Sequence, residues 1–239
     1  MDDSNPYDAP YRLPTPSRPL LGLTILVVED SRYACEAMRL LCLRSGARIR
    51  RADCLRSARR HLQIYRPSVM IVDLGLPDGS GADLIAEMVA TVPRVSVILG
   101  TSGDDNGDAT ALAAGADGFL HKPVISLAAF QGAILAHLPK DRQPEGPRVI
   151  VDEQICPDIM AFRDDMAHVA DVMGERMDGR MLDYVAQFVG GVARSADDLA
   201  LAQAAADLAS ARAAGRPVAV DTARIAGLVQ DRLREQKAL

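Results

Sequence analysis

The chain has 239 residues, of which 49% are apolar and 25% charged, and its formal net charge is −5. This length suits two domains, and the composition excludes a wholly disordered chain. The longest apolar run is far shorter than the roughly 20 residues of a membrane-spanning helix, so we expect a soluble protein without a membrane partner.

The first 20 residues contain five prolines and open with two aspartates after Met1. This composition predicts a disordered Pro-rich arm and argues against a signal peptide. The four cysteines form no CxxC pair and lie in helical or apolar segments, so we expect buried, reduced thiols and a cytoplasmic protein. These are Cys35, Cys42, Cys54 and Cys156.

Residues 21–138 alternate short apolar runs with helical patterns. The predicted strands cover residues 24–30, 47–53, 69–74, 95–102 and 117–122. The predicted helices begin near Ser31, Leu55, Ala82, Asp108 and Ser126. Strands that are apolar throughout are typical of a parallel sheet covered on both faces. The pattern therefore predicts an α/β, doubly wound, five-stranded parallel sheet, whose sites lie at the carboxyl ends of the strands.

Residues 139–148 are polar and contain three prolines, which predicts a linker. The segment that follows, residues 149–239, has apolar residues at helical spacing and no strand pattern, so we expect an all-α bundle or hairpin domain. We expect Gly190-Gly191 to interrupt its second helix. Asp221-Thr222 is expected to cap the last helix, which should end near Arg234.

Three carboxylates stand at the ends of two predicted strands. Glu29 and Asp30 end the first, and Asp73 ends the third. In a doubly wound sheet these two strand ends are adjacent. Negative charges at such a short distance repel each other unless a cation such as Mg²⁺ lies between them. Thr101 and Lys122 end the fourth and fifth strands. This set of groups could accept a phosphoryl group on Asp73 while the metal and the lysine neutralise its oxygens.

At these residues the sequence resembles the receiver domain of two-component response regulators. The motifs are Glu29-Asp30, "DLGLPDGSG" around Asp73, "GTSG" around Thr101 and "GADGFLHKPV" around Lys122, and the resemblance covers about residues 22–138. It implies that Asp73 accepts phosphate from a sensor histidine kinase or a phosphotransfer protein. Such a protein is a signalling switch, and its only chemistry is its own Mg²⁺-dependent phosphorylation and dephosphorylation.

The resemblance also implies a role for each site residue. Glu29, Asp30, Asp73 and the carbonyl group of Gly75 would bind Mg²⁺. Thr101 and Lys122 would contact the phosphoryl group, and Phe119 would move inward with Thr101. The family often has tyrosine where this chain has Phe119, so here the switch would operate by burial of the ring alone.

The output of the second domain is the least specified part of the sequence. Residues 145–239 contain 11 basic and 16 acidic residues, a charge of −5, which opposes binding to nucleic acid phosphates. We therefore expect a protein partner or self-association through the helical domain, controlled by the surface of the fourth helix, fifth strand and fifth helix. Two alternatives stay open: a transcription factor with a divergent helical DNA-binding output, and a phosphate sink.

His168 is the one residue of the helical domain that raises a different possibility, that of a phosphorylated histidine. The resemblance to phosphotransfer domains fails three residues later, because Asp171 stands where those domains carry a lysine. We therefore do not expect phosphotransfer chemistry at His168.

Overall fold

The computed structural model describes residues 13–146, 153–174 and 177–235. The strands are β1 (Thr24–Val28), β2 (Arg48–Ala52), β3 (Val69–Asp73), β4 (Gly75–Leu76), β5 (Gly79–Ser80), β6 (Val97–Ser102) and β7 (Gly118–His121). The helices are α1 (Arg32–Ser45), α2 (Leu55–Ile64), α3 (Gly81–Val89), α4 (Gly107–Ala113), α5 (Leu127–Leu135), α6 (Ile159–Gly174), α7 (Gly179–Ser195), α8 (Leu199–Ala213) and α9 (Ala219–Glu235). We call β1 to α5 the α/β unit and α6 to α9 the helical unit. Among the described residues, no helix combines the length and the apolarity that crossing a bilayer would require.

Five of the strands form one parallel sheet in the order β2-β1-β3-β6-β7. The sheet separates two apolar cores. Ile71 of β3 lies in the core that contains Phe130 of α5, whereas its neighbours Met70 and Val72 lie in the core that contains Leu84 of α3. Successive side chains point to opposite faces, which is why a strand with helices on both sides is apolar throughout. The predicted doubly wound sheet is confirmed.

The segments that flank the α/β unit are partly ordered against it. Leu20 is fully buried, and its amide donates to the carbonyl oxygen of Ser45 at 3.0 Å. After the linker, the amide of Ile155 donates to the carbonyl oxygen of Ile125 at 2.8 Å, and Ile155 is itself buried. The predicted disordered arm falls in part on residues 1–12, and the predicted linker on residues 147 and 148, both outside the described residues. The division into domains stays a prediction.

The helical unit has its own apolar core, as predicted. Its largest buried members are Phe162, Met166, Val169, Val185, Phe188, Val189, Val192, Leu201, Leu208, Ile225 and Val229, and Tyr33 of α1 belongs to the same cluster. The predicted break at Gly190-Gly191 is wrong, because α7 continues through both glycines to Ser195. Each glycine costs a helix about 1 kcal/mol relative to alanine, and burial of α7 against α8 outweighs that cost. Gly190 faces Ala205 of α8, where a Cβ would already be in van der Waals contact.

The predicted start of the last helix is also wrong by a few residues. α9 begins at Ala219, so Asp221 and Thr222 lie inside its first turn. The amide of Thr222 donates to the carbonyl oxygen of Val218 at 2.9 Å, which closes that turn without a side-chain cap. Asp221 still favours the helix there, because a negative charge in the first turn interacts well with the helix dipole.

All four cysteines lie in the described part of the chain and are free. Cys35 and Cys42 are buried, and burial raises the pKa of both thiols to about 12. Cys54 is half-buried and caps α2, where its sulfur accepts from the amide of Ser57. The expectation of burial is wrong for Cys156, which is exposed because it lies in the extended segment that leads into α6.

The helical unit packs on the α/β unit mainly through α6 and α7, which lie against α1, while α7 also reaches β4. The rings of Tyr33 in α1 and Phe162 in α6 meet edge to face, with centroids 6.0 Å apart. This main contact surface differs from the one formed by α4, β7 and α5, through which we expected the output to be controlled.

Gly81 begins α3 directly behind the end of β3. A Cβ at this position would overlap with the carbonyl oxygen of Asp73, which belongs to the rigid backbone of the central strand. We expect Gly81→Ala to lower the free energy of unfolding by about 2–3 kcal/mol, because the clash must displace one of the two elements. Gly132→Ala, in the open middle of α5, is the matched control and should be neutral or stabilising by up to about 1 kcal/mol. Equal urea unfolding curves for the two variants would contradict this prediction.

Candidate functional site

Three carboxylates meet at the carboxyl ends of β1 and β3. Glu29 and Asp30 follow β1, Asp73 is the last residue of β3, and the two strands pair directly. The oxygens of the three groups lie within 4.8 Å of one another. Glu29 and Asp73 are buried and Asp30 is half-buried. We call these residues the acidic triad.

Lys122 joins two members of the acidic triad. It follows the edge strand β7, and its Nζ lies 2.8 Å from Asp73 Oδ2 and 2.7 Å from Glu29 Oε2. All three side chains are at most 8% exposed. Burial alone would lower the pKa of Lys122, but the charges of Asp73 and Glu29 outweigh it and raise the pKa above its usual value. The lysine is therefore a permanent cation within the site.

One lysine does not balance three carboxylates. Burial raises the pKa of Asp30 to about 7, and the negative charge of Asp73 contributes to the increase. Burial also raises the pKa of Glu29 well above its ordinary value, although Lys122 opposes the change. A site with excess negative charge and only oxygen donors suits a small, hard divalent cation. The residues present therefore fit the implied magnesium ion.

Thr101 lies beside Asp73, since the two residues are register partners in β6 and β3. Its hydroxyl group donates to the main-chain oxygen of Leu120 at 2.8 Å, so in this structure it is bonded to β7. Phe119 of β7 is half-buried, with its ring close to Gly107 at the start of α4. The switch roles of Thr101 and Phe119 stay predictions.

Side chains of α7 lie directly against two glycines that border the acidic triad. The amide of Gly75 donates to Asp73 Oδ1 at 3.3 Å, and a Cβ on Gly75 would overlap with the side-chain amide of Gln187. A Cβ on Gly103, which follows β6, would overlap with the guanidinium group of Arg194. Glycine at both positions gives α7 the space to approach the site.

A further contact from α7 could not be predicted from the sequence. The hydroxyl group of Tyr184 donates to Asp30 Oδ2 at 2.7 Å, and His168 Nε2 lies 3.2 Å from the same hydroxyl oxygen. Burial, together with the charge of Asp30, raises the pKa of Tyr184 above its usual value, so the hydroxyl group stays protonated. Tyr184 and Asp30 are 154 positions apart, and no local pattern in the sequence indicates this pair.

A comparison with known families identifies the part of the chain that carries the acidic triad. Residues 25–134 match the family described as the response regulator receiver domain. This segment is a receiver domain. The recognition of the response regulator motifs is confirmed, and the receiver domain belongs to a family of signalling proteins. The helical unit lies outside the matched residues.

The relatives of the receiver domain are response regulators. The KDP operon transcriptional regulatory protein KdpE of Escherichia coli is 30% identical over 99 residues, which are 41% of this chain and 44% of the relative. The transcriptional regulatory protein CitB of Klebsiella pneumoniae is 36% identical over 108 residues, 43% of this chain and 45% of the relative. A solved receiver domain from Methylobacillus flagellatus has 25% identity and a TM-score of 0.44, over 48% of this chain and 97% of that one.

The chain spans less than half the length of the curated relatives it matches. Those relatives are named as transcriptional regulators, so they give no support to our expectation of a protein partner rather than a nucleic acid partner.

Proposed function

We propose that this chain is a cytoplasmic response regulator that accepts a phosphoryl group on Asp73 from a sensor histidine kinase or a phosphotransfer protein. The observation that supports this proposal is the acidic triad with Lys122 inserted between Asp73 and Glu29. Such a site combines a nucleophilic carboxylate with a fixed cation at the end of a rigid central strand. The free cysteines are in keeping with a reducing compartment.

In the proposed reaction, a carboxylate oxygen of Asp73 attacks the phosphorus of a phosphohistidine. The new oxygen–phosphorus bond forms as the nitrogen–phosphorus bond breaks, and the imidazole leaves with the electron pair and takes up a proton. Lys122 neutralises the charge on the phosphoryl oxygens. Mg²⁺, held by Glu29, Asp30, Asp73 and the carbonyl group of Gly75, would add positive charge at the same oxygens.

In the same proposal, Thr101 and Phe119 change position when Asp73 is phosphorylated and so transmit the change to the rest of the domain. The hydroxyl group of Thr101 would leave the carbonyl group of Leu120 and donate to a phosphoryl oxygen, and Phe119 would follow it inward. Two elements that can exchange one packed arrangement for another in this way are the usual basis of a switch.

For the output we propose a protein–protein interaction through the helical unit. Its excess of acidic residues and its apolar contact with α1 support this proposal. The names of the curated relatives favour a second candidate, a transcriptional regulator. Salt-sensitive, submicromolar binding of the full chain to duplex DNA would favour that second candidate, and its absence would favour the first.

Labelling with a small phosphodonor such as acetyl phosphate tests the phosphoryl site. We expect one phosphoryl group per chain, dependent on Mg²⁺ and lost with EDTA, because three carboxylates at one edge of the sheet need a second cation before an anion can approach. Mass spectrometry of the digested protein should locate it in the peptide that contains Asp73. Labelling that persists without Mg²⁺, or that maps to another residue, would contradict the proposal.

A further inference from the structure

The helical unit covers the site to which we assign phosphoryl transfer. Tyr184, Gln187 and Arg194, all in α7, lie over Asp30, Gly75 and Gly103 respectively. A larger open cavity of about 630 Å³ borders Glu29, Asp30 and Tyr184 on the side of α2, and Asp73 is not part of its lining. The cavity that remains between α7 and Asp73 is about 20 Å³, lined on one side by Asp73 and Lys122 and on the other by Gln187 and Val192. A space of this size holds about one water molecule, which is less than a phosphoryl group needs.

The contacts made by α7 involve two of the residues that the proposed function requires. The hydroxyl group of Tyr184 donates a hydrogen bond to Oδ2 of Asp30, and Asp30 is one of the four proposed metal ligands. The side chain of Gln187 lies against Gly75, whose carbonyl group is another. Two of the proposed ligands are therefore in contact with the helical unit, although the acidic triad belongs entirely to the receiver domain.

A buried aspartate anchors the helical unit beside the acidic triad. Asp165 of α6 is 1% exposed, and its carboxylate accepts three hydrogen bonds at the start of α1. The donors are the hydroxyl group of Ser31 at 2.8 Å and the amides of Arg32 and Tyr33 at 2.7 and 3.0 Å. The amides of a first helical turn lack partners within their own helix, so a carboxylate placed there is strongly held.

The anchor and the metal ligands are consecutive in the sequence. Glu29 and Asp30 belong to the acidic triad, and residues 31–33 bind Asp165. A displacement of this segment on loading of the site would therefore act directly on the contact with α6. Asp165 gives the helical unit a fixed position relative to the phosphoryl site and does not itself touch a metal ligand in the described contacts.

We propose that α6 and α7 form an intramolecular lid over the phosphorylation site, held closed by Asp165 on α1 and Tyr184 on Asp30, and that lid closure competes with loading of the site. This inference rests on the proposed function. Two states that compete for the same atoms are linked, so Mg²⁺ and the phosphoryl group weaken lid closure by the same factor by which closure weakens their binding.

Before phosphorylation, the helical unit would bind the active-site face of its own receiver domain. Binding of Mg²⁺ and the phosphoryl group would then expose the surface through which the two units are in contact. The apolar side of that surface contains Tyr33, Phe162 and Phe188, which lie in one core cluster in the closed arrangement. This route acts through α1 and β4, so it is separate from the movement proposed for Thr101 and Phe119.

Calorimetric titration of the full chain with MgCl₂ tests the competition. We expect Tyr184→Phe to bind Mg²⁺ about three- to tenfold more tightly, because the loss of one hydrogen bond weakens lid closure. Asp165→Ala removes the acceptor of three hydrogen bonds without touching the acidic triad and should tighten binding at least about tenfold. Tyr33→Phe is the matched control in the same interface, and its Mg²⁺ affinity should stay within about twofold of wild type, because its hydroxyl group has no hydrogen-bond partner among the described contacts.

Amide hydrogen exchange provides a second readout that does not depend on affinity. In the wild type, Mg²⁺ with beryllofluoride should speed up exchange at the amides of Arg32 and Tyr33, which Asp165 protects in the closed arrangement. Asp165→Ala should show fast exchange there without any addition. Circular dichroism checks that each variant keeps its helical content.

Equal Mg²⁺ affinity in wild type, Tyr184→Phe and Asp165→Ala would overturn the lid and leave the proposed function standing. Weaker binding in both variants would also overturn it, since α7 would then complete the site. Slower exchange at the amides of Arg32 and Tyr33 after addition of Mg²⁺ and beryllofluoride would also overturn the lid. If no variant binds Mg²⁺, the lid and the metal-dependent function fail together.

Discussion

Asp73→Asn is expected to reduce phosphoryl acceptance from a small phosphodonor by at least about 100-fold. An amide oxygen carries no net negative charge and is a poor nucleophile towards phosphorus, while asparagine keeps the size of the aspartate at the end of β3. Lys122 keeps its second partner Glu29, 2.7 Å away, so the local fold should survive. The measurement is the rate of incorporation of the phosphoryl group at saturating Mg²⁺.

The matched control is Asp83→Asn, which removes an exposed carboxylate from the first turn of α3 and should leave the rate unchanged. Peptide mapping of any residual label is part of the same experiment. A rate in Asp73→Asn above about a tenth of the wild-type value, with the label on Glu29 or Asp30, would move the nucleophile to another member of the acidic triad.

Lys122→Met is expected to lower the free energy of unfolding by about 3–5 kcal/mol near neutral pH without Mg²⁺, because it leaves buried carboxylates without their cation. Methionine keeps most of the length and apolar volume of the lysine side chain, so packing changes little. Urea unfolding measures the loss, and added Mg²⁺ should restore part of it by binding the native state.

The loss of stability in Lys122→Met should also depend on pH. Burial raises the pKa of Asp30 to about 7, so the native carboxyl group takes up a proton at a higher pH than the unfolded one does. Lys122 opposes this increase, and also the increase at Glu29, so Lys122→Met should take up more protons on folding than the wild type does. The difference in stability from the wild type should therefore be smaller near pH 5 than near pH 8.

Lys140→Met is the control for charge and side-chain type, since Lys140 is exposed in the short 3₁₀ segment after α5. Its unfolding curve should match that of the wild type within about 0.5 kcal/mol. A loss of stability in Lys122→Met no greater than in this control would show that the ion pairs with Asp73 and Glu29 contribute nothing to the fold.

The sheet and the meeting of the three carboxylates could be predicted because both depend on short stretches of sequence. β1 and β3 are each a run of a few buried, mainly apolar residues, and the parallel arrangement brings their ends together whatever the remaining chain does. Glu29 and Asp73 need only that topology to become neighbours. Their ion pairs with Lys122 follow from a third strand end on the same edge of the sheet.

The closure of the site could not be predicted, because it depends on contacts between distant residues. Asp165 reads as one polar residue on an amphipathic helix, yet it binds an amide 133 positions earlier. The predicted break at the two glycines of α7 was wrong for a related reason. Their low helix propensity is a local quantity of about 1 kcal/mol each, and it is overridden where the helix is buried between α8 and the receiver domain.

The attachment of Ile155 to the receiver domain limits how far the helical unit can travel. Ile155 is buried and hydrogen-bonded to Ile125, and α6 begins at Ile159. Only residues 156–158 lie between these fixed points, and the four residue steps from Ile155 to Ile159 reach roughly 13–14 Å when fully extended. An undocked helical unit would therefore pivot near its original place at a high effective concentration, and its return would be a fast, unimolecular step. A partner protein would have to compete with that return, so the short tether sets the minimum affinity that a useful partner must have.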